Sequence, residues 1–128
     1  MDYEIKMNGE VIEQIKFIDL LFSKVKDGSK TQTRRIFSEQ KEKIYVRDKI
    51  VITVRKHCNE VIGRVFLKIT DVRIERLNLI TEEDAVKEGF ANVEAFNEYW
   101  NKLYEKDDKH FSVEGNPLVF VITFEVVK

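Results

Sequence analysis

Residues 28–35 read GSKTQTRR, a lysine, two threonines, a glutamine and two adjacent arginines directly behind one of only five glycines. An ordinary solvated loop has no need of that order. Upstream, IDLLFSKVKDG over residues 18–28 places Ile18, Leu21, Phe22 and Val25 at helical spacing, with Gly28 as the C-terminal stop. The stretch therefore begins where a helix ends. Its threonines favour a strand, with Thr31, Thr33 and Arg35 on one face and Gln32 and Arg34 on the other. Lys30 and Thr33 fall on opposite faces of a regular strand, so they act together only if the chain is still turning at Lys30.

The same alternation recurs on either side. VIEQIKF over residues 11–17 suits a short strand, and DKIVITVRKH alternates Ile50, Ile52 and Val54 against Val51, Thr53 and Arg55. CNE then offers a turn into VIGRVFLKITDVRIERL, a run too long for one flat strand, which should bend near Gly63 or Asp71. The chain ends in PLVFVITFEVVK, whose two faces both start apolar, as in a central strand. Between these lies a helical insert. TEEDAVKEG has Thr81 as N-cap and Gly89 as stop, and NVEAFNEYWNKLYEK carries the stripe Val93, Phe96, Trp100 and Leu103 behind a cap at Asn92. The stripe reads as core packing; a docking face for another protein would instead leave Phe96 and Trp100 exposed. The sum is a mainly β chain with three short helices, an α+β class consistent with a small barrel.

At 128 residues with 43% hydrophobic composition, the chain can bury a core and reads as one domain over residues 1–128, without repeats or linkers. No long apolar run and no basic-then-apolar N-terminus is present, so a soluble, cytoplasmic protein with no membrane partner is expected. The lone Cys58 excludes an internal disulfide and a cysteine-based zinc site, and His57 and His110 lack ligand spacing, so neither metal nor cofactor is implied. Charge is unevenly spread. Residues 1–80 carry 17 Lys and Arg against 12 Asp and Glu, whereas residues 81–128 carry 5 against 11. One basic region can attract phosphates while the whole stays near neutral.

Some chemistry can be set aside. GSKT resembles the end of a phosphate-binding P-loop, but Ser29 stands where glycine must precede the lysine, and Lys24 where the upstream glycine belongs. Cys58 beside His57 lies in a turn and points away from it. Arg34 and Arg35 are strand neighbours, so at most one faces a given pocket and the other is solvated or ion-paired. Glu88 falls in the last turn of its helix, where the dipole disfavours a carboxylate; it is either a proton donor or an exposed glutamate whose small penalty is tolerated.

Taken together, these pieces resemble the ASCH domain family of the PUA-like superfamily of RNA-associated folds. The ordered set is Gly28, Lys30, Thr31, Thr33 and Arg35 after a helix, then VRDKIVIT, with Arg47-Asp48 where the family usually has Gly-Asp, then ITEEDAVKEGF, the aromatics Phe96, Trp100 and Tyr104, and a final LVFVITFEVV. The resemblance spans roughly residues 11–127. It implies a PUA-like small β-barrel flanked by short helices, with a cleft into which GSKTQTRR and the helix ending at Glu88 project.

The resemblance also implies a ligand: RNA, a nucleotide or a modified nucleoside, contacted by Thr31, Gln32, Arg34, Arg35 and Arg55. Some small family members are amidohydrolases that deacetylate N4-acetylcytidine with lysine, threonine and glutamate, and the matching positions are Lys30, Thr33 and Glu88. In that alternative Lys30, desolvated beside an arginine, is the base, Thr33 the nucleophile and Glu88 the proton donor to the departing amine, while Arg35 or a backbone N–H holds the oxyanion.

Overall fold

The structure is a computed structural model that describes residues 5–7 and 10–128, with side chains from Val11 onward. The first four residues and residues 8 and 9, part of the N-terminus read above for a secretory pattern, lie outside the described residues. In chain order the elements are β1 (Ile5–Met7), β2 (Glu10–Ile12), α1 (Asp19–Asp27), β3 (Gln32–Ile36), β4 (Ile50–His57), β5 (Glu60–Arg76), α2 (Glu82–Lys87), α3 (Val93–Leu103) and β6 (Leu118–Val126). Among the described residues no helix is long and apolar enough to cross a membrane.

β1 and β2 pair with each other, and the remaining strands form one antiparallel sheet in the order β3-β6-β5-β4. The terminal strand is thus central, as its two apolar faces require. Phe120, Ile122 and Phe124 enter one core with Phe22, Val25, Val51, Leu67 and Ile69, while Val119 and Val121 enter a second with Leu77, Ala85, Phe96 and Trp100. β6 is the wall between two cores. Phe37 and Tyr45, from the connection after β3, cover Phe120 with ring centroids 5.1 Å away in each case.

β5 runs 17 residues because it bends without breaking. Its register shifts against β4 beside Gly63, where Arg55 pairs with Gly63 but Lys56 with Val61, and against β6 between Ile69 and Asp71. An extra residue at each bulge adds twist and lets one strand curl through both halves of the sheet. The β4-β5 hairpin turns on Cys58 and Asn59, both at positive φ, the conformation of a two-residue hairpin turn.

Residues 11–17 are less regular than a strand. β2 ends at Ile12, after which a single parallel bridge joins Gln14 to Ile52 on β4, through Ile15 N–H donating to the Ile52 carbonyl at 2.9 Å and Ile52 N–H to that of Glu13 at 3.0 Å. At the other edge of the sheet, Arg35 on β3 donates to the Lys16 carbonyl at 2.8 Å. This segment therefore spans the gap between the two edges of the curled sheet, with Phe17 packed on Phe124.

α2 and α3 cover the second core. Thr81 caps α2 in a reciprocal box with Asp84, and Asn92 caps α3 by accepting from Ala95 N–H. Trp100 donates its indole N–H to the Phe111 carbonyl. Phe96 and Trp100 are 1% and 2% exposed, whereas Leu103, at the end of the stripe, is 46% exposed, so the two large aromatics are core and a docking face built on them is excluded. Replacing the buried Phe120 by alanine is expected to cost about 3–5 kcal/mol in urea unfolding, whereas Leu20→Ala, at 66% exposure, should stay within about 0.5 kcal/mol.

Candidate functional site

The chain is still turning at Lys30, since β3 starts only at Gln32. Gly28 closes α1 at φ 87°, a left-handed conformation that glycine adopts without steric cost. The next residues are pinned by backbone bonds: Lys30 N–H to the Lys24 carbonyl at 3.0 Å, Thr31 N–H to that of Lys87 at 2.9 Å, and Phe124 N–H to that of Thr31 at 3.0 Å. Thr31 thus joins the end of α2 to β6 through its backbone.

This turn points the Lys30 side chain inward, where it is 2% exposed. Its ammonium donates to the Gln32 carbonyl at 2.8 Å, the Glu88 carbonyl at 2.7 Å and Glu88 Oε1 at 2.9 Å. Three donors meet three acceptors. Burial pushes its pKa below the ordinary lysine value; the Glu88 charge and hydrogen bond oppose this, and Arg35 and Arg34 add to it. Lys24 also donates to the Gly89 carbonyl, so two lysines close the C-terminal end of α2, where its dipole favours cations.

Glu88 is 3% exposed, so the solvated alternative is excluded. Its Oε2 accepts from Arg34 Nη1 at 2.9 Å while Oε1 takes the lysine. Cations, not an unpaired helix end, surround this carboxylate. Arg34 is itself fully buried. Nη1 also donates to Gln32 Oε1 at 2.6 Å, and Nη2 to Glu75 and Asp84, both at 3.2 Å. All four terminal N–H bonds are therefore used inside the protein, and Arg73, paired with Glu75 at 3.1 Å, completes the group. Three cations (Lys30, Arg34, Arg73) balance three carboxylates (Glu75, Asp84, Glu88).

Arg34, expected as a ligand contact, thus has its guanidinium occupied within the protein, and Gln32, also expected as one, serves it through its side chain. The reason is register. Arg34 pairs with Val121, which pairs with Arg73, so this row faces α2 and the second core. Spacing alone does not single out Glu75 or Arg73, because charges alternating along VRIER look like an ordinary solvated face, nor Asp84, which reads as one of three acids in the first turn of α2. Glu75 and Arg73 are marked only by their placement across β6 from Arg34.

The opposite face of β3 is open to other work. Thr33 pairs with Ile122 and Arg35 with Phe120, so both face the first core and its rim. The Arg35 guanidinium carbon lies 5.0 Å from the centroid of the Phe17 ring, and Lys30 Nζ lies 5.7 Å from it. Thr33 is buried, and no hydrogen bond joins its side chain to Lys30 or Glu88 among the described residues. The structure thus brings Lys30 and Glu88 into contact, and sets Thr33 and Arg35 on the other side of the strand with Phe17. Arg55 stands apart on β4, exposed, with Nε 3.8 Å from Asp19. Phe17, hidden in the expected strand 11–17, carries no sequence signal that would single it out.

One family model, that of the ASCH domain, matches residues 11–128. The chain belongs to the ASCH domain family. Solved structures agree in fold: an ASCH domain from Lactobacillus crispatus JV V101 has a TM-score of 0.67 at 14% identity, over 90% of this chain and 79% of that one. Protein EF3133 from Enterococcus faecalis V583 reaches 0.69 at 18% identity, over 96% and 79%, and the hypothetical protein PH0355 reaches 0.59 at 13%, over 89% and 97%. No curated protein matches this ASCH domain in sequence. The mainly β, curled sheet with short helices is the architecture of those ASCH structures.

Two outcomes follow from the ion network. Arg34→Ala takes one of two cations from each of Glu75, Asp84 and Glu88, leaving Arg73 and Lys30 with them, and should cost about 3–5 kcal/mol in chemical unfolding, with Arg34→Lys recovering little because one ammonium cannot reproduce the fork. Asp84 is held below the ordinary carboxylate value of 3.8: partial burial opposes this, but the Thr81 backbone N–H, the Arg34 charge, the Thr81 side chain and Arg73 outweigh it. A depressed folded-state value contributes stability that is complete above about pH 4 and lost as pH falls through the folded value. Asp84→Asn should therefore be less stable at neutral pH and lose less stability than the parent on acidification from about pH 5 to about pH 3, read from unfolding curves at each pH.

Proposed function

We propose that this ASCH domain binds RNA, a nucleotide or a modified nucleoside at residues 28–35, as one domain in the cytoplasm. One observation carries the reading: two cations, Lys30 and Arg35, meet at a single aromatic ring, that of Phe17, with Thr33 on the same strand face as Arg35. An aromatic ring and a guanidinium plane are surfaces on which an unstacked base can lie, and the partly exposed Arg35 can attract its phosphates while the buried Lys30 holds the ring's surroundings in place. A threonine hydroxyl adds one donor and two acceptor sites for a base edge or a ribose. Arg34 supports this indirectly, by fixing the strand from behind.

A second reading, removal of the acetyl group from N4-acetylcytidine, is favoured by the direct contact of Lys30 with Glu88 at 2.9 Å. In it, Thr33 Oγ1 attacks the acetyl carbonyl carbon and its proton passes to the Lys30 amine. Collapse of the adduct leaves the acetyl group on Thr33, and the departing cytidine amine takes a proton from Glu88. Water then cleaves the ester to acetate and restores the hydroxyl. This route needs Lys30 to give up one of three satisfied hydrogen bonds, and Glu88 to carry a proton while both its oxygens accept from cations. Those demands place binding ahead of catalysis.

Titration of the protein with single-stranded RNA at several salt concentrations tests the conclusion. Arg35→Ala should weaken binding and lower the slope of log affinity against log salt by about 0.7 for each phosphate that Arg35 neutralises; an unchanged affinity and slope would contradict it. A chromatographic assay with N4-acetylcytidine tests the second reading. Cytidine released by the parent but not by Lys30→Ala or Glu88→Ala, each shown to be folded by circular dichroism, would move the conclusion to catalysis.

A further inference from the structure

We infer that residues 16–18 are a lid over Thr33 with the Arg35 guanidinium as its latch, so that the site opens before a ligand enters it. The inference concerns the regulation of the site proposed above and rests on that reading. Thr33 is 3% exposed and Lys30 2%, so neither a base nor a ribose reaches the threonine hydroxyl while the chain keeps this conformation. Whatever covers it has to move.

The cover is the Phe17 ring. Thr33 pairs with Ile122. On one side of that pair, on the same face of the sheet, Arg35 stands opposite Phe120; on the other, Phe124 donates its N–H to the Thr31 carbonyl. Phe17 reaches both sides, with its ring centroid 6.1 Å from that of Phe124 and 5.0 Å from the Arg35 guanidinium carbon. A ring that meets both ends of a row lies across its middle. Phe17 is itself only partly buried, which places it at the rim of the first core and not inside it.

The backbone beside Phe17 is suited to moving. Before it, Ile15 N–H donates to the Ile52 carbonyl and fixes the chain to β4. After it, α1 starts behind Ile18, an exposed residue whose side chain cannot cap a helix, so the first turn is loosely held. On the β3 side, Arg35 Nη2 donates to the Lys16 carbonyl at 2.8 Å. The binding reading gives that same guanidinium to the ligand. An acceptor oxygen of the ligand and the Lys16 carbonyl therefore compete for one donor, and a ligand that takes it releases the lid. Phe17 then closes on the base in place of the threonine. Binding is coupled to opening because the ligand engages the open state alone.

The test reads opening with no ligand present. In the full chain carrying Cys58→Ser and Thr33→Cys, its fold checked by circular dichroism, a maleimide should label the introduced thiol at least about a hundredfold more slowly than in the urea-unfolded chain. The rate should change little across low urea concentrations, as for a local opening. Adding Arg35→Met, which keeps a long stem and removes the donor, should speed labelling about tenfold. Labelling as fast as in the unfolded chain, a rate that tracks global unfolding in urea, or no effect of Arg35→Met would overturn the inference. If Thr33→Cys does not fold, relaxation dispersion on the parent chain decides. Microsecond-to-millisecond exchange at the amides of Lys16, Phe17 and Ile18, quiet at Ile52 and enhanced by Arg35→Met, upholds the lid, and no exchange at those three removes it. Affinity for single-stranded RNA is measured separately: a chain that opens but binds none keeps the lid and loses the binding reading, whereas one that binds without opening loses the lid alone.

Discussion

Glu88 lies 58 residues from Lys30 and 54 from Arg34 along the chain, and each of its carboxylate oxygens accepts from one of them. A buried charge is tolerated only when it is paired and hydrogen-bonded, and this one is both. Arg34 extends the pairing to Glu75 on β5 and Asp84 on α2, so one guanidinium fastens a helix to two strands that are not neighbours in the sheet. The geometry is demanding. Removing Arg34 takes a cation from all three carboxylates at once, among them the buried Glu88, and its bonds to Asp84 and Glu88 help hold so short a helix as α2 in one place.

That fastening divides the labour of β3 between its faces. On the α2 side, Gln32 and Arg34 are consumed by the protein itself, and Lys30 reaches into the same group from the turn before the strand. On the other side, Thr33 and Arg35 face the first core and the rim at Phe17. The two adjacent arginines thus perform different tasks, one holding the sheet to the helix and the other bridging to the segment that spans the open side of the curl. An alternating strand makes this simple, because neighbouring residues are assigned to opposite faces by the backbone alone.

Much of this is legible in the residues alone. Gly28, Thr81, Asn92 and Gly89 punctuate the helices where their local chemistry says they should, and the bends at Gly63 and Asp71 are where an overlong strand has to curl. The two apolar faces of residues 118–126 announce a central strand. These are local signals, each contained within a few residues. The network around Arg34 is not legible, since it depends on β3, β5 and α2 being adjacent, a fact of topology that spacing does not carry. Residues 11–17 mislead for a related reason: their alternation suits one strand, but the pairing with β1 stops at Ile12, beyond it only Gln14 has a bridge among the described residues, and Phe17 turns instead to the cations of the next elements. The sign of Glu88's surroundings is hidden in the same way, for a helix end that looks unfavourable alone becomes favourable once two cations arrive from elsewhere.

On the proposed binding reading, the Phe17 side of β3 is the ligand face while the α2 side is structural. Backbone amide spectra of the isotopically labelled protein, recorded during titration with a short single-stranded RNA, separate the two faces. Signals of Phe17, Thr33 and Arg35 should move in a saturable way while those of Asp84 and Glu75 hold still. Saturable shifts confined to other parts of the chain, with Phe17, Thr33 and Arg35 unmoved, would contradict this division.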